Sequence, residues 1–340
     1  MDYEKLEIIA FPQPMPDDHS EAWHDERRRC IGGSDAAAVL GMSNWRTPYD
    51  VWHDKVFGAE FKGNEATRRG QRREPQIVSE YATLTGRVVY QPGHLTIPDQ
   101  EYVGCNLDGL CRDRAIEAKT ANANAGMYWG DPGTITTDNC DGRVPLEYFL
   151  QCQHNMLVAV ATGCLDKHKP LCDLFVSIGG EAIQIYTVVG DPELWDAMLE
   201  TYKEFWRRVE EHDPPELQGI EDVERCYPVA APSSCLPTKS VADSLAELAR
   251  IKRAEDELEA RKKACQLAVK AHMGECEQII DESGKALVTW NNAAGKARFD
   301  TTAFRHDHPE LYERYLTVGK PTRIFIPKYE RIEAQLCQQN

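Results

Sequence analysis

The stretch from Asn106 to Thr120 constrains this chain more than any other. It reads as two short β-runs, with Asp108 at the end of the first and Ile116-Glu117-Ala118-Lys119 inside the second. Successive strand side chains point to opposite faces, so Glu117 and Lys119 share one face while Ile116 and Ala118 turn to the other, into a core. A carboxylate pair beside one lysine results. Two carboxylates offer hard oxygen ligands to divalent cations, and a lysine can position or deprotonate water; metal-assisted hydrolysis of a phosphodiester needs both. An ordinary hairpin with an exposed Glu-Lys pair would carry the same D-x(8)-E-x-K spacing, because charged strand residues are common where strands meet water.

The surrounding elements can be read coarsely. Residues 1–20 are Pro-rich and are expected to form an irregular arm. Glu21 to Arg29 reads as a helix start leading into Ile31-Gly32-Gly33-Ser34, where Ser34 and Asp35 are N-cap candidates for a helix beginning at Ala36. Free N–H groups at such a start can bind phosphate, although two glycines and a serine also make a simple turn and cap. Thr67 to Leu84 reads as a helix with Ile77, Val78, Tyr81 and Leu84 on its apolar stripe, and Val144 to Thr162 as another that opens at Pro145. Arg87–Ile97 and Glu101–Arg112 read as strands, Leu171–Ile178 and Ala182–Val189 as a hairpin, and Pro192–Glu211 as a helix. Gly130 to Arg143, rich in Gly, Thr and Asp, reads as a loop. Alternating helices and strands indicate an α/β chain with a mixed central sheet flanked by helices.

Six segments together resemble the YqaJ-type viral recombinases and the lambda-exonuclease family, within the PD-(D/E)XK nucleases. They are Trp23-His24 with Arg27, Ile31 to Ala36, Gly70 to Glu74, Leu107-Asp108-Gly109, Glu117-Ala118-Lys119, and Gln151-Cys152-Gln153-His154, spread over roughly the first 210 residues. The resemblance implies a restriction-endonuclease-like core in which Asp108, Glu117, the Ala118 carbonyl and Glu74 bind Mg²⁺ or Mn²⁺, two ions per site. It makes Lys119 catalytic, sets Gln153, and less firmly Gln151, facing the same centre, and makes Arg27 and Ser34 the pocket for a terminal 5′-phosphate. The implied activity is 5′-to-3′ digestion of duplex DNA, releasing mononucleotides and leaving a 3′ overhang for recombination. Its implied partner is a single-strand annealing protein, and its implied assembly a ring-shaped homotrimer. One departure concerns the arginine that the family places shortly after the lysine: here the stretch is Thr120 to Ala125, and Arg143, Arg28 or Arg29 are the candidates to replace it.

Composition tests these readings. The net charge of −16 opposes a nucleic-acid role, which normally shows as a basic surface. Arginines nonetheless cluster at Arg27-Arg28-Arg29 and at Arg68, Arg69, Arg72 and Arg73, and bound cations would add positive charge. No apolar run reaches the roughly 20 residues that span a bilayer, and Met1 to Lys5 lacks a signal peptide's features, so cytoplasmic residence in the bacterial host of a phage or prophage is expected. The 12 cysteines form no C-x-x-C pair, which favours reduced thiols over zinc ribbons or disulfides. Cys164, His168 and Cys172 are interrupted by Pro170 and lack an evident fourth ligand.

The expected organisation is a nuclease domain over residues 1–215, a Pro-rich linker over 216–240 and a C-terminal extension over 241–340. Residues 241–275 form a helical run with Leu245, Leu248, Ile251 and Leu258 on a heptad-like seam, followed by strand-like Ala286–Asn291 and Thr322–Pro327. A partner-docking module and a helix packing on its own domain both fit that run. Two other functions stay open beside the exonuclease: a non-catalytic DNA-end-binding or loading factor, and an endonuclease of the same superfamily. Intact Asp108, Glu117 and Lys119 weigh against the first, and a terminal-phosphate pocket would be useless to the second.

Overall fold

A computed structural model describes residue 25 and residues 27–58, 65–122, 124, 128–180, 182–319 and 322–339, with only the backbone described over 65–72 and 335–339. The expected arm at 1–20, the Trp23-His24 pair and the side chains of Arg68, Arg69 and Arg72 lie outside the described residues. The chain divides into two compact units, Met1–Cys226 and Tyr227–Asn340.

The first unit is built on a five-stranded mixed sheet of order β3-β4-β6-β7-β5. Its strands are β3 (Gly109–Cys111), β4 (Arg114–Ala121), β5 (Gly133–Ile135), β6 (Leu171–Ile178) and β7 (Ala182–Val189). β3 and β4 are antiparallel, β4 and β6 parallel, β6 and β7 antiparallel, and β5 joins β7 in parallel. Central β6 is buried on both faces because helices cover both. On one face Cys172, Leu174 and Val176 meet Phe149 and Met156 of α4 (Leu146–Ala161) and Met198 and Tyr202 of α5 (Pro192–Glu211). On the other, Ile116, Ala118 and Phe175 meet Ile77, Val78 and Tyr81 of α3 (Glu65–Thr85). This is the mixed α/β architecture the resemblance implies.

Local chemistry sets the ends of these elements. Asp191 accepts hydrogen bonds from the Glu193 and Leu194 amides, and Pro192 takes the first helical position, where a missing N–H costs nothing. Thr47 and Asp50 cap each other at the start of α2 (Pro48–Phe57), which follows the single turn α1 (Ala36–Val39).

Several elements depart from the expectation. The Arg87–Ile97 strand shortens to β1 (His94–Ile97), which pairs with β2 (Gln100–Asn106) as a separate two-stranded sheet. The Glu101–Arg112 strand is split at Leu107-Asp108, which frees Asp108 from the ladder. The Gly130–Arg143 loop contains β5, whose Ile135 is fully buried against the edge of the sheet. Residues 216–226, expected as linker, include α6 (Ile220–Cys226), whose buried Asp222 accepts from Thr47 Oγ1 at 2.8 Å and from the Gln218 amide at 2.9 Å.

The second unit consists of a 35-residue helix, α7 (Lys239–Met273), a small hairpin of β8 (Gln278–Ile280) and β9 (Ala286–Thr289), and three short helices, α8 (Thr301–Asp307), α9 (Pro309–Tyr315) and α10 (Tyr329–Gln339). Thr322–Pro327 is not a strand; the partner of β9 is β8 instead. Ala246 and Ala249 are buried on α7, whereas Ile251 and Leu258 of the heptad-like seam are exposed.

Candidate active site

Asp108 sits at the break between β2 and β3, and its Oδ2 accepts the Ala118 amide of β4 at 2.7 Å. That bond draws the carboxylate across to the neighbouring strand. The close approach of β3 and β4 here depends on Gly109, since a Cβ there would lie 2.6 Å from Val89 and 3.1 Å from Ile116. Glu117, only 1% exposed, and Lys119 share the face opposite Ile116 and Ala118, and Lys119 Nζ lies 2.5 Å from Glu117 Oε1.

Helix α4 supplies the remaining partners of Glu117. Gln151 Nε2 donates to Oε1 at 2.7 Å and Asn155 Nδ2 donates to Oε2 at 2.8 Å, so one turn of helix holds both carboxylate oxygens. Asn155 was not expected from sequence; its signal is the i,i+4 spacing from Gln151. Gln153, expected to face the centre, does not. Two residues turn a helix by about 200°, so Gln153 points away from Gln151. It donates to the Val189 carbonyl at 2.8 Å and accepts from the Asp191 amide at 3.0 Å and Trp195 Nε1 at 2.8 Å. Gln153 therefore ties α4 to the end of β7 and the start of α5.

The electrostatics follow from crowding acids in a dry corner. Withdrawal from water pushes the Asp108 carboxyl well above the usual carboxylate range, and the negative charges of Glu117 and Glu74 add to that push. Glu74 reaches the centre electrostatically from α3, which is anchored two turns later where the Tyr81 hydroxyl donates to Asp173 at 2.6 Å. Burial works against the Lys119 charge, but Glu117 and Asp108 overcome it and hold the amine protonated well above its ordinary range. Its Nζ also lies 5.1 Å from the centre of the Tyr148 ring. Among the described residues, no three His, Cys, Asp or Glu side chains form a ready cation cage, and Cys164, His168 and Cys172 do not make one. Asp108 and Glu117 nonetheless offer oxygen donors of the kind a hard divalent cation takes, and bound positive charge would offset the burial and the repulsion that lift Asp108.

The Ile31–Ser34 segment abuts this centre. A Cβ on Gly33 would fall 2.5 Å from Asn155 Oδ1 and 3.2 Å from Gln151 Cγ, so glycine is what lets the loop lie on the two amides that hold Glu117. Ser34 is not an N-cap. It lies inside a 3₁₀ turn, Gly33–Asp35, and its hydroxyl accepts from Arg27 Nη2 at 2.7 Å. Asp35 is buried beneath the turn, paired with Lys55 at 2.7 Å and Arg46 at 3.1 Å. Burial alone would raise its pKa, but Lys55, Arg46 and Arg27 outweigh burial and hold the carboxyl well below its usual range. Arg28 donates to the carbonyls of Lys55 and Val56, and Arg143 to those of Asp131, Pro132 and Thr134. Two of the three candidate phosphate contacts, Arg28 and Arg143, thus brace backbone at separate places.

Fold and site together define an α/β chain that presents a carboxylate and a lysine from β4 and a second carboxylate from the break before β3, with α4 behind them. Residues 22–164 match the model of the YqaJ-like viral recombinase domain. Over 325 residues it is 26% identical to the uncharacterized protein YqaJ of Bacillus subtilis (strain 168), covering 92% of this chain and 95% of that protein. Among solved structures it is similar to LHK-Exo, an alkaline exonuclease from Laribacter hongkongensis, in complex with dAMP: 21% identity, 61% of this chain, 97% of that chain, TM-score 0.45. A phage-related exonuclease from Haemophilus somnus 129PT is similar at 15% identity over 54% of this chain and 94% of that chain, with a TM-score of 0.41.

Proposed function

We propose that this chain is a divalent-cation-dependent exonuclease that digests the 5′-ended strand of duplex DNA, releasing 5′-mononucleotides and leaving a 3′ overhang. One observation carries the reading: Glu117 is held at both oxygens by Gln151 and Asn155 while it pairs with Lys119 and faces Asp108. A buried carboxylate fixed so tightly beside another acid is costly unless the site has a use for it.

Asp108, Glu117 and the Ala118 carbonyl would hold Mg²⁺ or Mn²⁺, with Glu74 nearby; two bound ions would supply Lewis-acid stabilisation and an activated water. Lys119, paired with Glu117, would position the phosphate and the attacking water. Gln151 and Asn155 keep the Glu117 oxygens aimed at the centre. Arg27 and Ser34 bind the terminal 5′-phosphate through charge-assisted and hydroxyl hydrogen bonds, which favours end-directed digestion over internal cutting. The overhang would pass to a single-strand annealing protein in the cytoplasm of the bacterial host, and the enzyme would act as a homotrimer.

The test is a time course on linear duplex DNA labelled separately at each 5′ and 3′ end, with and without Mg²⁺. Loss of the 5′ label first, only with Mg²⁺, and slower on 5′-hydroxyl than on 5′-phosphate ends, is the expected result. Cutting at internal positions, or no cutting with either Mg²⁺ or Mn²⁺, would overturn the proposal.

A further inference from the structure

Lys55, in the last turn of α2, is only 8% exposed, and lysines are almost never buried so deeply without a partner. Its Nζ donates to two acceptors, Asp35 Oδ2 and the Arg27 carbonyl, each at 2.7 Å. Those acceptors belong to the two ends of the candidate phosphate pocket. Arg27 carries the guanidinium that donates to Ser34 Oγ at 2.7 Å, and Asp35 follows Ser34 in the 3₁₀ turn. One ammonium thus holds the backbone under Arg27 and the carboxylate next to Ser34 at the same time.

The clasp is reciprocal. Arg28 donates from Nε to the Lys55 carbonyl at 3.4 Å and from Nη2 to the Val56 carbonyl at 3.2 Å, where the end of α2 leaves carbonyls without helical partners. Lys55 therefore grips the chain at Arg27 while Arg28 grips the chain at Lys55. Asp35 extends the tie: Oδ2 also accepts the Gly32 amide at 3.3 Å, and Oδ1 accepts from Arg46 Nη1 at 3.1 Å. The base of the clasp is firm, because Thr47 and Asp50 cap the start of α2 and Trp52 Nε1 donates to the Arg208 carbonyl of α5 at 3.0 Å. An apolar side chain of similar length would fill the same volume without taking an ammonium and a carboxylate out of water. What the charged pair adds over such a side chain is direction, since it fixes two acceptors relative to one donor.

We propose that Lys55 is a positioning residue for recognition of the terminal 5′-phosphate, setting the Arg27 guanidinium against the Ser34 hydroxyl through the Arg27 carbonyl and Asp35. The inference rests on the reading of Arg27 and Ser34 given above and deepens it: selectivity for a phosphorylated end depends on a buried strut from α2 that acts through other residues. Charge-assisted bonds to a phosphate weaken when their donors lose alignment. Loosening the strut therefore removes the preference for the phosphate and leaves the general affinity for a DNA end.

The experiment reads binding by the whole protein in EDTA, with hairpin duplexes whose single open end carries a 5′-phosphate or a 5′-hydroxyl. Wild type should bind the phosphorylated end about tenfold tighter; Lys55→Met, which keeps the length of the side chain without its charge, should bring the two affinities to within about twofold by weakening the phosphorylated complex alone. If Lys55→Met does not fold, Lys55→Met/Asp35→Asn takes its place, because it leaves no buried carboxylate short of a cation, and it should show the same loss. A lysine that served stability alone would lower the melting temperature, or weaken both complexes equally, without changing their ratio. That result, an undiminished preference in a folded variant, or a double variant that also fails to fold would overturn the inference. Equal binding of both ends by wild type would overturn it together with the phosphate pocket. The Mg²⁺ time course is read independently: cleavage with the preference unchanged in Lys55→Met defeats this inference alone. No cleavage, with a preference that Lys55→Met abolishes, defeats the nuclease reading and supports the strut.

Discussion

Glu117 accepts from an ammonium and two amides at once, which leaves it little freedom of aim. Residues that fix a metal ligand in this way typically matter 10- to 100-fold to metal affinity or activity. Gln151→Ala and Asn155→Ala are each expected to lower the cleavage rate about 10- to 100-fold while the protein stays folded. Gln153→Ala should behave in the opposite manner. It strands the Trp195 N–H, the Asp191 amide and the Val189 carbonyl, so stability should fall by about 2–4 kcal/mol in urea unfolding, with the rate per folded molecule little changed. A folded Gln153→Ala variant that lost activity as deeply as Gln151→Ala would return Gln153 to the site. Lys119→Ala removes the cation proposed to face the substrate phosphate but leaves the acids proposed to hold metal. Cleavage should drop by about a hundredfold or more, with end binding in a gel-shift assay largely kept. More than a tenth of the wild-type rate in that variant would refute the role given to Lys119.

Three elements meet at His154 of α4, and there the protein is expected to be acid-sensitive. The Gly104 carbonyl of β2 can only accept, so His154 Nε2 carries the proton at 2.9 Å, and Nδ1 accepts from the Tyr202 hydroxyl of α5 at 3.1 Å. Burial lowers the pKa of this imidazole to about 4, against about 6.5 in an unfolded chain. Between those values the unfolded state binds a proton that the native state refuses. Stability therefore rises with pH across this window and is lost as pH falls from 6.5 toward 4, by about 3 kcal/mol at most. Urea midpoints at pH 7, 5.5 and 4.5 should fall more steeply for the wild type than for His154→Gln; equal slopes would move the effect to other groups. The same helix shows what was legible in the sequence. The alternation at Ile116–Lys119 sorted core from site because β4 has two distinct faces, and β6, β7 and α5 begin and end where their composition changes. On α4, by contrast, nearly every residue from Glu147 to Ala159 is buried, so no amphipathic phase told Gln151 from Gln153. The three residues of β5 carry no period, and their strand exists only through pairing with β7, distant in sequence. The Asp35 pairs with Lys55 and Arg46 are likewise tertiary and cannot be read from local spacing.

At the scale of the molecule, every candidate site residue lies in the unit Met1–Cys226, which has its own core on both faces of its sheet. A chain truncated after Pro232 is expected to keep digesting DNA, whereas a soluble, folded fragment without activity would make the second unit part of the catalytic body. The net charge of −16 raises a separate difficulty, since most of such a surface repels duplex DNA and general attraction cannot hold the enzyme on its substrate between cuts. The arginines described near the centre do not remove it: Arg28 and Arg143 donate to backbone carbonyls, and Arg27 joins Lys119 at the proposed phosphate contacts. Enclosure would substitute for attraction, because a duplex threaded through a closed ring stays bound by topology whatever the sign of the outer surface. A cyclic homotrimer is the closed assembly that the resemblance implies. Light scattering should give about three times the 38.5 kDa chain mass. Competitor DNA added in large excess after digestion has begun should scarcely shorten the tract removed, at low salt or high. A monomer halted at once by competitor would refute both the ring and the enclosure that motivates it.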